Sequence, residues 1–194
     1  MPHRPHLLGC QLGTAVGDAA GLRREGLTPR RARKLYGTDV SPLLLAGYGM
    51  CSDDTEHAVM VVRSLALAHR DPNRFERLLA SQLKRWLLAA PAGVGMATLR
   101  ACLKLLFGFG PSRSGVFSAG NGPAMRAPIL GTMIDDLDVL KSFVRCSTRM
   151  THSDPKAECG ALVVALAAYL AARDKQITGR RFLDVISEHL PSEA

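Results

Sequence analysis

A chain of 194 residues in which 47% are hydrophobic and 22% charged can build one domain with a substantial core, and its composition is not that of a disordered segment. The excess of 25 lysines and arginines over 17 aspartates and glutamates gives a net charge of +8, which favours acidic partners such as phosphates and says nothing about fold. The five cysteines form no C-x-x-C pair and suggest neither a zinc ribbon nor a disulfide framework, so a reducing cytoplasm is the expected location.

The first eight residues hold His3, Arg4 and His6 and run into a glycine-interrupted stretch with Gln11 and Asp18, unlike a signal peptide. Apolar spacing predicts a helix over residues 7–21, in which Gly9, Gly13, Gly17 and Gly21 recur every four residues and leave a bare stripe. Each glycine costs about 1 kcal/mol against alanine, so the stripe is expected to serve close packing of another backbone in the core. Residues 23–49 read as a loop. Its Arg23, Arg24, Arg30, Arg31, Arg33 and Lys34 are expected to be solvated or to rim a site for an anionic substrate. With Tyr36 alone among them, a nucleic-acid footprint is poorly supported.

Further helices are predicted over residues 53–70, 72–89, 96–107, 135–149, 155–173 and 179–190, with loops at 91–95 and 108–122. Asp71-Pro72 and Asp154-Pro155 each place an acceptor at the N-cap and a proline at the first helical position, and Thr178 is a third cap. No stretch alternates as a half-buried strand would, so the expected fold is all-α, a single domain over residues 1–194. The apolar run 157–172 contains Glu158 and is short for roughly 30 Å of hydrocarbon, which makes it a central core helix rather than a membrane span.

Ser52-Asp53-Asp54-Thr55 crowds two carboxylates and two hydroxyls at one helix start, a set of hard oxygens that selects Mg²⁺, Mn²⁺ or Ca²⁺ over zinc. Adjacent aspartates about 100° apart on a helix can reach two neighbouring ions. The same residues equally suit plain capping, with acids answering the helix dipole. His57, one turn on, is expected to be satisfied by a neighbour rather than to bind metal. Residues 115–126 offer flexible backbone N–H groups and the Arg126 guanidinium, a reasonable phosphate cradle or an ordinary interhelical loop, without the signature of a P-loop or a dinucleotide fold. Glu25 is a candidate acid or base. Thr151-His152 is either an accessory to the Asp154 cap or a ligand contact.

In their order along the chain these elements resemble the ADP-ribosylglycohydrolase family. The run from Gly9 through Gly13, Gly17, Asp18 and Gly21 is similar to the opening helix of that family, with Glu25 at the place of an early catalytic glutamate. Ser52-Asp53-Asp54-Thr55 resembles its Thr-Asp-Asp-Thr metal motif, Gly120-Asn121-Gly122 through Arg126 its diphosphate loop, and Thr151-His152-Ser153-Asp154-Pro155 a later ligand-contacting segment. The resemblance implies Mg²⁺- or Mn²⁺-dependent release of ADP-ribose from a modified protein or small conjugate. Glu25, Asp53 and Asp54 are then catalytic, Ser52, Asp53 and Asp54 hold metal, and Gly120, Asn121, Gly122, Arg126 and His152 contact ADP-ribose. The alternative is a non-catalytic ADP-ribose-binding or structural relative. The family's two-metal site is completed by a C-terminal Asp-x-Asp-Thr or Asp-x-Asp-Ser segment that this sequence lacks. The expectation is therefore a truncated domain holding half the metal site, feeble as a hydrolase, with residues 157–172 partly open and prone to self-association or a completing chain.

Overall fold

The computed structural model describes residues 4–42, 47–91, 93–174 and 176–190, and among these every regular element is helical. α1 (Arg4–Gly21) runs into a short 3-10 turn (Leu22–Arg24) and is followed by α2 (Pro29–Tyr36). Next come α3 (Asp53–Ala68), α4 (Pro72–Leu88), α5 (Met96–Leu106) and the single turn α6 (Pro111–Ser114). The order ends with α7 (Gly122–Met133), α8 (Leu137–Arg149), α9 (Pro155–Arg173) and α10 (Gly179–His189).

The starts foreseen from acceptor and proline signals form as expected. Asp71 accepts from Asn73 N, Asp154 from Lys156 N and Thr178 from Arg181 N, each supplying one of the donors a helix start leaves orphaned. Three helices lie where the sequence reads as loop or carries no assigned element: α2, the single turn α6 and α7. α2 starts at Thr28-Pro29, where the Thr28 hydroxyl accepts from Arg31 N. In α7, Pro123 stands near the first position, where its missing N–H is no loss, and Pro128 is carried inside the helix.

The core lies where α7 meets α9, closed by α3, α4 and α8. Val61, Phe75, Leu79, Ile129, Leu130, Leu140, Phe143 and Leu166 are all buried there, with the Phe75 and Phe143 rings 5.1 Å apart. At Gly131 a Cβ would run into the carbonyl of Ala165, so the α7 backbone lies directly on α9. α9 buries one stripe, Ala157, Ala161, Leu162, Ala165 and Leu166, while the rest of its apolar surface stays half open.

The glycine stripe of α1 does not meet the close neighbour expected for it. A Cβ at Gly9, Gly13, Gly17 or Gly21 would find nothing within 4 Å among the described residues. Leu8, Leu12 and Val16 on the adjoining face are also more than half exposed.

Candidate active site

α1 places Asp18 against the start of α3. Asp18 Oδ2 accepts from Ser52 N at 2.7 Å, Thr55 N at 3.2 Å and Thr55 Oγ1 at 2.5 Å, and Oδ1 accepts from Ser52 Oγ at 2.7 Å. Burial works against ionisation of Asp18, but the bonds from Thr55 and Ser52 outweigh it and hold the carboxyl below its usual range. Ser52 occupies the N-cap position without making the cap bond; its hydroxyl donates to Asp18, and Thr55 N, a donor a cap would take, also goes to Asp18. The capping acceptor of α3 thus comes from another helix, and Ser52 Oγ keeps its lone pairs.

Asp53 and Asp54 open α3 half buried beside the cleft. Burial, then the charges of Asp54 and Glu25, push the Asp53 carboxyl up to about 6. Burial, Asp18 and Glu25 raise Asp54. Glu25 closes the 3-10 turn after α1 on the same wall. Gly93, with φ of +77°, brings the α4–α5 connection over them, so that a Cβ there would stand 3.5 Å from Asp53 Oδ1.

The opposite wall is built on His152. Backbone bonds from Val116 N to Thr151 O (3.2 Å) and from Ser153 N to Val116 O (2.9 Å) pin the start of the glycine loop to the segment before α9. The loop then passes close to the imidazole. A Cβ on Gly120 would stand 3.0 Å from His152 Nε2 and one on Gly122 2.9 Å from Cε1, so these positions are glycine because the backbone rests on the ring.

Arg126 departs from expectation. It sits in the second turn of α7, is 0% exposed, and points away from the cleft. Its Nε donates to Ser147 Oγ at 2.9 Å, its Nη2 to Ser147 O and Thr151 Oγ1 at 2.7 and 2.6 Å, and its Nη1 to His57 Nδ1 at 3.2 Å. It faces no carboxylate among the described residues, and burial lowers the guanidinium to about 10. The guanidinium binds the core together and is not available to a diphosphate. His57 is a core residue rather than a metal ligand, fully buried and edge-on to Trp86 with ring centroids 4.5 Å apart, but only half satisfied: Nδ1 accepts from Arg126, while Nε2 is buried without a hydrogen-bond partner among the described residues.

These walls enclose a cleft of about 600 Å³ that brings together Glu25, Ser52, Asp53, Asp54, Gly120, Asn121, Gly122 and His152 and leaves out Arg126. Arg24, one of the basic residues expected to be solvated or to rim an anionic site, lines it too, and it also gathers residues the sequence did not single out for chemistry: Asp18, Thr98 and Ser118. Asp18 had a legible signal, a lone acid at the end of an uncharged glycine-striped helix. Thr98 and Ser118 had none, being ordinary hydroxyls among many.

The cleft is polarised. Three helix N-termini border it, those of α3, α5 and α7. The first turn of α3 carries Asp53, Asp54 and Glu56, whereas the first turns of α5 and α7 carry no acid. One end therefore draws cations and the other anions. The donors at the acidic end are hard oxygens without an ion-pair partner among the described residues, a chemistry that suits Mg²⁺ or Mn²⁺. Among the described residues no three acidic, histidine or cysteine side chains form a ready-made ligand set.

The family model for ADP-ribosylglycohydrolase matches residues 2–193. The chain is 37% identical over 166 residues to an uncharacterized protein of Archaeoglobus fulgidus, covering 81% of this chain and 53% of that one. It is 30% identical over 169 residues to the ADP-ribosyl-[dinitrogen reductase] glycohydrolase of Rhodospirillum rubrum, covering 81% and 54%. A solved ADP-ribosylglycohydrolase-related protein complex superposes with a TM-score of 0.68 at 30% identity, over 88% of this chain and 57% of that chain. The chain spans about half the length of the curated relatives it matches. Its helical fold, the order of its motifs and the match along nearly its whole length agree: the chain belongs to the ADP-ribosylglycohydrolase family.

Proposed function

We propose that the cleft binds the ADP-ribose unit of a modified protein or small conjugate and contributes to hydrolysis of the bond from its distal ribose to the acceptor. The observation that carries this is the polarity of the cleft, which matches a ligand anionic in the middle and cationic at the reacting sugar in the transition state. The diphosphate lies against the acid-free starts of α5 and α7, on the backbone of Gly120, Asn121 and Gly122. The distal ribose lies at Asp53 and Asp54. His152 contacts the ligand from beneath the loop.

Ser52, Asp53 and Asp54 would hold Mg²⁺ or Mn²⁺, which when bound orients ribose hydroxyls and lowers the pKa of a water. Glu25 accepts a proton from the attacking water and returns it toward the departing acceptor. Asp18 keeps the first turn of α3 in place through Ser52 and Thr55, so that Asp53 and Asp54 are presented in fixed directions.

The test follows Mg²⁺-dependent release of ADP-ribose from a modified protein, for the parent and for Glu25→Gln and Asp53→Ala, alongside thermal protection by ADP-ribose. Protection together with release that both substitutions abolish supports the reading. Absence of protection removes the ligand assignment. Protection without release favours binding alone, the second reading, which the lack of a ready-made ligand set supports.

A further inference from the structure

The buried bonds behind His152 run in one direction. Thr148 O already accepts from two backbone groups, Thr151 N at 3.0 Å and His152 N at 2.8 Å. A carbonyl oxygen has two lone pairs, so the Thr151 hydroxyl, 3.5 Å from Thr148 O, places its proton better elsewhere. His152 Nδ1 stands 2.9 Å away. Thr151 Oγ1 in turn receives Arg126 Nη2 at 2.6 Å, and a guanidinium can only donate. Donation therefore passes from Arg126 to Thr151 and from Thr151 to Nδ1, which leaves the ring proton on Nε2. That nitrogen is the one beside Gly120, at the wall of the cleft.

We propose that Arg126 and Thr151 are positioning residues that hold His152 as a neutral imidazole with its Nε2–H turned to the cleft. The site then demands an acceptor atom, an oxygen or ring nitrogen, from the part of the ligand over the glycine loop. Burial, then the charge of Arg126, lowers His152 to about 4, in keeping with a neutral ring at neutral pH. The role explains why a fully buried cation that faces no carboxylate among the described residues stands one turn below the loop. Only the identity of the ligand rests on the ADP-ribose reading given above, because the direction of the bonds is a property of the free protein.

Imidazole ¹H–¹⁵N spectra of the free protein at neutral pH read the tautomer directly, and ADP-ribose titration by calorimetry reads its use. The parent is expected to show His152 protonated at Nε2 alone. Thr151→Val keeps the shape and removes the hydroxyl, so the ring is expected to pass to a mixture or to the Nδ1–H form, with ADP-ribose bound roughly five- to ten-fold more weakly. Thr151→Ser is expected to restore both readings. An Nδ1–H ring in the parent, or a Thr151→Val spectrum and affinity unchanged from the parent, overturns the proposal. If Thr151→Val does not fold, the parent spectrum and Thr151→Ser decide. An Nε2–H ring in a protein that ignores ADP-ribose leaves the positioning intact and removes the ligand reading instead.

Discussion

Asp18 accepts both the backbone N–H and the hydroxyl of Ser52, each at 2.7 Å, so the helix that carries the acidic motif is capped by a residue 34 positions earlier in the chain. Asp18→Ala should lose about 2 kcal/mol of stability, between an ordinary cap and a buried charge-assisted bond. Asp18→Asn should lose less, because an amide oxygen still accepts. Urea denaturation of both variants measures it. Equal losses would show that the charge and not the acceptor geometry matters.

Metal binding should depend on pH with a definite sign. The Asp53 carboxyl is raised to about 6 in the fold and Asp54 is also raised, so both favour the folded state in the protonated form. The metal-free protein therefore loses their contribution as pH climbs from about 4 to about 7. His57 and His152 are lowered and act oppositely over the window below about 6.5, but Mg²⁺ does not touch them and they cancel in a comparison with and without metal. The rise in melting temperature on adding Mg²⁺ should be larger near pH 7 than near pH 5. It should vanish in Asp53→Ala. A rise of equal size at both pH values would rule out these carboxylates as the ligands.

Phe117 is 81% exposed between Val116, pinned to Thr151 and Ser153, and Ser118, which lines the cleft. An aromatic face held out at the rim of a nucleotide-sized cleft suits stacking on a base. Phe117→Ala should weaken ADP-ribose binding about ten-fold, the lower part of the range for a base on an aromatic ring. Melting should hardly change, since the side chain packs on little. Calorimetry and a thermal melt separate the two effects.

Glycines with and without a close neighbour should respond in opposite directions. Gly122→Ala drives a Cβ to within 2.9 Å of His152 Cε1 and should displace the ring, weakening ADP-ribose binding. Gly13→Ala meets nothing within 4 Å and should stabilise α1 by roughly 0.5–1 kcal/mol. If Gly13→Ala destabilises instead, the face with Leu8, Leu12 and Val16 is covered in solution, and sedimentation at several concentrations would show whether a second copy covers it.

The sequence carried the parts of the fold that depend on local signals. Asp71-Pro72 and Asp154-Pro155 mark helix starts because cap and proline lie side by side, and Thr28-Pro29 held the same mark but was hidden in a run of arginines. α7 carries two prolines, one near its start and one accommodated within, which weaken the helical signal of that stretch. The acidic motif and the glycine loop were legible as chemistry. What could not be read was long-range: that Asp18 caps α3, and that Arg126, by type a residue of surfaces and phosphates, is spent wholly on Ser147, Thr151 and His57.

The contact between His57 and Arg126 sets a length. His57 is one turn into α3 from Asp53, and Arg126 one turn into α7 from Gly122, so their bond of 3.2 Å ties the two helices together just below the cleft. The gap between the carboxylates and the glycine loop is then a gauge calibrated from the interior, where no ligand reaches. Changes at His57 or Ser147 would reset that gauge without altering any surface the ligand meets. Molecules that differ only in the distance between their charged centre and their sugar are the ones such changes should let in or shut out.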